Sequence, residues 1–231
     1  MVDAKAVLVG AVLAAALTYG GLVGVEVLVP GGVDAPSAPL AGETTVEGTT
    51  YHLDRLGRPT VVGEVRNGRS HPVGNVTVTV RYYRDGEVIG ETTGGVLGEP
   101  IPSGESAPFD VHYDADGDVD DYDVSVAADR TAAGSADLIA DASVTDQSQN
   151  RVVVSGTVSN DGSEARTSEV VVAFYDDGNN VIGVRTTRPN REIPPGESVP
   201  FTVTFRTVGD VPSLAQEFDD FAVRAVSVDA G

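Results

Sequence analysis

Asn75-Val76-Thr77-Val78-Thr79-Val80-Arg81-Tyr82-Tyr83-Arg84-Asp85-Gly86 alternates apolar and polar side chains for most of its length. Val76, Val78 and Val80 share one face, and Thr77, Thr79 and Arg81 the other. A period of two belongs to a β-strand with one face on a core and one in water. The stretch does not decide whether Tyr82 or Tyr83 continues the inner face. Asp85-Gly86 directly after such a strand predicts a tight hairpin turn.

The same stretch occurs again. Ser168-Glu169-Val170-Val171-Val172-Ala173-Phe174-Tyr175-Asp176-Asp177-Gly178 repeats the strand and the acidic turn, with one more residue before the next block, so its loop should be longer. The blocks around it repeat in the same order. Val61–Asn67 matches Val154–Asn160, Val88-Ile89-Gly90 matches Val181-Ile182-Gly183, Ile101–Val111 matches Ile193–Val203, and Asp120–Val126 matches the segment from Asp219. Matched blocks in constant order indicate duplication of one unit. Pro102-Ser103-Gly104 and Pro194-Pro195-Gly196 read as turns before a further strand. A helical period is missing outside the N-terminal region; only Ser213–Phe218 suggests a turn or two. Short strands with turns every 8–12 residues predict a mainly β chain of two tandem immunoglobulin-like antiparallel β-sandwiches. Val78, Val80, Val111, Val172, Phe174 and Phe201 are the expected core.

The second copy resembles the FxLYD-type domain of bacterial and archaeal surface proteins. Gly156-Thr157-Val158-Ser159-Asn160, then Val172-Ala173-Phe174-Tyr175-Asp176-Asp177-Gly178, then Ile193–Val203 carry the likeness, the naming motif falling on Ala173–Asp176. The first copy departs further, with Arg81-Tyr82-Tyr83-Arg84 at that place. The resemblance covers nearly all of residues 59–229. It implies immunoglobulin-like sandwiches behind an N-terminal transmembrane helix and an extracytoplasmic adhesion or interaction role, and it supplies no catalytic residues.

Ahead of the repeats, Ala6–Val29 is a run of 24 residues, 18 of them apolar, with Glu26 its only charge. As a helix it reaches across a bilayer core of about 30 Å. Its length favours an uncleaved signal anchor over a cleaved signal peptide, whose apolar stretch is shorter. Lys5 precedes it and Arg55 is the first basic residue after it, so the N-terminus is expected in the cytoplasm and the repeats outside the cell membrane. The expected division is 1–29 anchor, 30–47 flexible linker with only its last few residues candidates for an edge strand, 48–130 first sandwich and 131–231 second sandwich. The small-residue run Thr131–Ala136, within the connection from Ala128 to Gln147, suggests hinge freedom between the sandwiches.

Fifteen basic against 35 acidic residues give a net charge of −20. That argues against nucleic acid as a partner. Only Lys5 is a lysine, and Asp outnumbers Glu. Molar salt shortens the Debye length to about 3 Å and screens the self-repulsion, so the composition is that expected of a salt-loving archaeon. With no cysteine, there is neither a disulfide framework nor a thiolate metal site.

The sharpest local feature is Asp114–Asp123, where Asp114, Asp116, Asp118 and Asp120 alternate along one loop and suit a hard cation such as Ca2+. The EF-hand spacing fails, since Val119 stands where that loop needs glycine; a solvated acidic hairpin is the plainer reading. His52, His71 and His112 lack metal-ligand spacing. Asn75-Val76-Thr77 is the one N-glycosylation sequon. The fingerprints of a nucleophile elbow, a P-loop and a dinucleotide site are missing, so a non-catalytic protein is expected, either a surface interaction module, an accessory subunit of a membrane complex, or a Ca2+-dependent adhesin.

Overall fold

The computed structural model describes residues 43–54, 56–114, 118–134, 137–206 and 214–228, together with the backbone of two short strands, β1 (Ala14–Tyr19) and β2 (Leu22–Val27), paired antiparallel. The rest of residues 1–42 lies outside the described residues, and with it the remainder of segment 6–29, which was expected to cross the membrane as one helix. No helix among the described residues is long and apolar enough to cross a membrane.

The chain is mainly β and antiparallel, with one 3-10 turn at Leu214–Gln216. Its first half holds β3 (Thr44–Leu53), β4 (Pro59–Asn67), β5 (Val73–Arg84), β6 (Glu87–Gly94), β7 (Ser106–His112) and β8 (Asp121–Arg130). These form two sheets, β3-β4-β7 and β6-β5-β8. The second half repeats the plan with β9 (Leu138–Ser148), β10 (Arg151–Asn160), β11 (Ser168–Tyr175), β12 (Val181–Thr187), β13 (Ser198–Arg206) and β14 (Asp220–Ser227), in sheets β9-β10-β13 and β12-β11-β14. β3 already begins at Thr44, whose side chain is buried, so the last residues of the expected linker belong to an edge strand.

Within each half the two sheets meet face to face, like a sandwich. Val61, Val65, Phe109 and Val111 from one sheet pack on Val78, Val80, Tyr82, Val124 and Val126 from the other. Val152, Val154, Val158, Phe201 and Phe205 likewise pack on Val170, Val172, Phe174 and Ile182. Each such buried side chain contributes about 1.5–3 kcal/mol. Tyr82 is the inward tyrosine, and the ladder slips by one residue between Tyr82 and Tyr83. Asp85 (φ 51°) and Gly86 (φ 78°) form a two-residue turn whose paired positive φ values match the twist of the flanking strands. The corresponding loop of the second half is longer, as its extra residue implies. There Asp176 accepts from the N–H groups of Asn179 (3.0 Å) and Asn180 (2.8 Å).

The two P-x-G segments are equivalent type II turns, with Gly104 and Gly196 at φ 79° and 74°. Each is held by a buried asparagine that ends the preceding matched block. The carboxamide of Asn67 donates to the carbonyls of His71, Ile101 and Pro102, and that of Asn160 to the carbonyls of Glu164 and Ile193. A buried amide that closes such bonds fixes a loop that carries no ladder of its own.

A third, smaller cluster joins the halves. Val62 of β4 and Leu97 lie against Val171, Ala173 and Tyr175 of β11 and Val181 and Val184 of β12. The sheets therefore stack in the order β6-β5-β8, β3-β4-β7, β12-β11-β14, β9-β10-β13. The small residues of the connection favour hinge freedom, and this packed apolar face opposes it.

Candidate functional site

Two regions gather chemistry-bearing side chains: the acidic end of the first half, and the joint between the halves.

At the acidic end, the β3–β4 turn, the β5–β6 turn and the segment after β7 come together. Asp54 accepts from the N–H groups of Leu56 (2.8 Å) and Arg58 (2.9 Å) and closes the β3–β4 turn. The Arg58 guanidinium donates to Asp54 (2.7 Å) and to Asp114 (2.8 Å) and so ties the turn to the start of the aspartate series. Arg84 donates to the backbone carbonyl of Asp118 (2.7 Å), and the N–H of Asp85 donates to the Asp120 carboxylate (2.8 Å). Tyr83 donates to Asp123 at 2.5 Å. Asp116 lies outside the described residues. Asp114 and Asp120 thus each hold a protein donor, while Asp118 enters through its carbonyl. Among the described residues, no group of three carboxylates or imidazoles is placed to hold a metal ion. His71 lies beside the carbonyl of Pro72, and His112 is exposed at the end of β7.

Asn75 sits at an irregularity of β5, where pairing with β8 skips between Gly74 and Thr77. Its φ is 49°, a left-handed value that asparagine tolerates better than most residues. Glu99 fixes this bulge by accepting from the N–H groups of Asn75 (2.9 Å) and Val76 (2.8 Å). Both Asn75 and Thr77 are exposed.

The joint is the more elaborate region. Tyr175 Oη donates to Glu64 Oε1 at 2.6 Å, across the two halves. Loss of water raises the Glu64 carboxyl above its ordinary range; the Tyr175 bond pulls it back, neighbouring Glu47 pushes it up, and Arg66 pulls it down. Burial, and then the bond to the Glu64 carboxylate, push the Tyr175 phenol far up, so it stays a donor at any physiological pH. Arg224 of β14 donates to the carbonyls of Pro100 (2.7 Å) and Ser106 (3.4 Å) of the first half, with Glu105 at 3.7 Å. Gly98 adopts φ 87°, which a side chain would strain, and a Cβ there would lie in ordinary van der Waals contact with Arg224, Val226 and Val171 of the second half at 3.5–3.6 Å. Gly48 (φ 58°) lies in the bulge of β3, where a Cβ would stand 2.9 Å from the Asn179 carbonyl of the second half. His52 lies near the same face. Its imidazole is lowered by burial and by the charge of Arg185 in β12, while Asp110 and Asp54 act in the opposite sense. Arg185 stacks over the Phe205 ring at 5.2 Å, and Phe205 stacks on Phe174 at 4.7 Å.

No sequence-level expectation covered this joint, yet the repeats carry its signal in their differences. Where β5 has Thr79, Arg81 and Tyr83, β11 has Val171, Ala173 and Tyr175. Where β4 has Val62 and Glu64, β10 has Ser155 and Thr157. Val62, Val171 and Ala173 are apolar where the halves meet, and their counterparts Ser155, Thr79 and Arg81 are polar; the tyrosine is kept in both copies, and Glu64, the partner of Tyr175, is Thr157 in the other. On the outward face of β10, Ser155 shares hydroxyl hydrogen bonds with Thr145 and Thr202, each at 3.1 Å.

No family model and no curated protein matches the chain. Partial likenesses to solved structures include a β-glucuronidase from glycoside hydrolase family 2 (10% identity over 64% of this chain and 20% of that chain, TM-score 0.24). They also include red sea bream transglutaminase (11% identity, 84% and 32%, TM-score 0.26) and Bacteroides uniformis β-glucuronidase (16% identity, 64% and 21%, TM-score 0.22). The chain spans about a fifth to a third of the length of these solved chains. Likenesses this slight carry no argument about its function.

Proposed function

We propose that the chain is a membrane-anchored extracytoplasmic module that acts by structure and contact rather than by catalysis: two tandem immunoglobulin-like β-sandwiches of the FxLYD type, carried behind an anchor over residues 6–29. The joint carries this reading. Val62, Val171, Ala173 and Tyr175 pack the two halves against each other, a contact that suits a spacer holding a surface away from a bilayer. The titratable groups of the joint, Glu64, Tyr175 and Arg224, are spent on each other and on backbone carbonyls. The apolar run over 6–29 and the acidic, nearly lysine-free surface suit a protein tethered to a membrane in saline surroundings and bound to protein partners there.

The test uses the full chain in its native membranes. Resistance to alkaline extraction, together with digestion of both halves by protease added to intact cells, is the expected result. Release by alkali, or protection of the halves until the cells are broken, would overturn the proposal. Gentle detergent purification followed by mass spectrometry of bound proteins then identifies the partners.

A further inference from the structure

We infer that Asn75 is a glycan acceptor, and that the outward face of β6-β5-β8 is the sugar-bearing side of the molecule. The inference rests on the extracytoplasmic placement proposed above and goes beyond it by naming a modification site. Asn75-Val76-Thr77 supplies the acceptor amide and the hydroxyl two residues on by which transferases recognise it. The fold presents both. Asn75 and Thr77 are exposed on either side of buried Val76. The left-handed backbone at Asn75 lifts this residue off the regular ladder. Glu99 holds the bulge through the two backbone N–H groups alone. Among the described residues, the Asn75 carboxamide and the Thr77 hydroxyl are engaged in no hydrogen bond, so a sugar displaces none there.

The other copy sharpens the argument. The positions equivalent to Asn75, Val76 and Thr77 are Thr167, Ser168 and Glu169, where Ser168 is buried and no sequon occurs. The outward face of that sheet is covered by the first half. In the first copy the same face is open, and a substituent on Asn75 extends into solvent on the side of Thr77. In the reaction, Asn75 Nδ2 bonds to the anomeric carbon of a sugar carried on a polyprenyl phosphate. The anomeric C–O bond breaks, the phosphate leaves with its electron pair, and the amide loses one proton.

The test is glycopeptide mass spectrometry on the full chain purified from its native membranes, beside Asn75→Gln, Thr77→Ala and Thr77→Ser forms expressed in the same host. Circular dichroism controls for folding, because the left-handed backbone at Asn75 suits asparagine better than glutamine, while Thr77→Ala and Thr77→Ser leave that residue in place. The expected result is a sugar on the Asn75 peptide, lost in N75Q and T77A and retained in T77S. Chain digested by protease on intact cells yet unmodified at Asn75 overturns this inference and leaves the extracytoplasmic reading standing. Chain protected in intact cells overturns both.

Discussion

Tyr175 and Tyr83 occupy equivalent positions in the two copies and both donate to carboxylates, but to different ends. Tyr83 binds Asp123 within its own sheet, and Tyr175 binds Glu64 across the joint. Tyr175→Phe leaves a half-buried carboxylate next to Glu47 without its donor, so a loss of about 1–3 kcal/mol is expected. Chemical denaturation at neutral pH in high salt measures it, and Tyr83→Phe, at a more exposed pair, should cost less. The sequence could not settle which of Tyr82 and Tyr83 points inward, because both rings suit a core. In the fold Tyr82 continues the buried alternation of Val76, Val78 and Val80, and the β5–β6 ladder slips only after it. Gly183 shows a second residue-scale constraint. A Cβ there would stand 2.4 Å from the Phe205 ring, itself stacked on Phe174 and capped by Arg185. Gly183→Ala should destabilise the second half by about 1–3 kcal/mol, read as a lowered thermal midpoint. The Val-Ile-Gly block was legible only as part of the repeat; the ring that fills the glycine's place comes from β13 and was not legible.

At the scale of the strand, β5 and β11 share their inner faces and differ in their outer ones. Period-two alternation, the Asp-Gly hairpin, the two P-x-G turns and the expected core residues were all legible, because each depends on neighbours within a few positions. Val78, Val80, Val111, Val172, Phe174 and Phe201 are all buried. The joint was not legible, because a search for repeats rewards sameness, and the joint is written in the positions where the copies diverge. The aspartate series was legible as a cluster, but the donors that engage it, Arg58 and the Asp85 N–H, come from other turns. Giving β11 the outer face of β5 tests the account. Val171→Thr combined with Ala173→Arg should open the joint while keeping both inner cores, baring Val62, Val181 and Val184 and so lowering resistance to limited proteolysis. Unchanged resistance to protease would show that the halves hold together by other means.

Over the whole molecule, two titrating groups near the joint act in opposite directions. His52 has a depressed value in the folded chain, so the stability it contributes is present above the ordinary imidazole range and is lost as pH falls through its folded value. Glu64 has a raised value, so its contribution is complete below the ordinary carboxylate range and is lost as pH rises through its folded value. As pH falls from 7, His52 lowers stability and Glu64 raises it. His52→Gln should remove the first effect and Glu64→Gln the second, both visible in thermal midpoints against pH at constant high salt. Ionic strength acts on a larger scale. Exposed arginine–carboxylate pairs such as Arg81–Glu91 and Arg191–Glu197 contribute little each. They do not offset a net charge of −20. Dialysis from molar salt into dilute buffer should therefore reduce the folded signal in circular dichroism.

The contact between the halves also has a direction, because the face of β11 meets the face of β4 and not its own counterpart. A longer relative with a third unit in the middle would need hydrocarbon on both sides of that insert, a Val171-like pattern facing one neighbour and a Val62-like pattern facing the other. This chain has Thr79 and Arg81 at one terminus of the stack and Ser155 and Thr157 at the other. The outer faces of the two described halves are therefore not shaped to take another unit in the way that β4 takes β11.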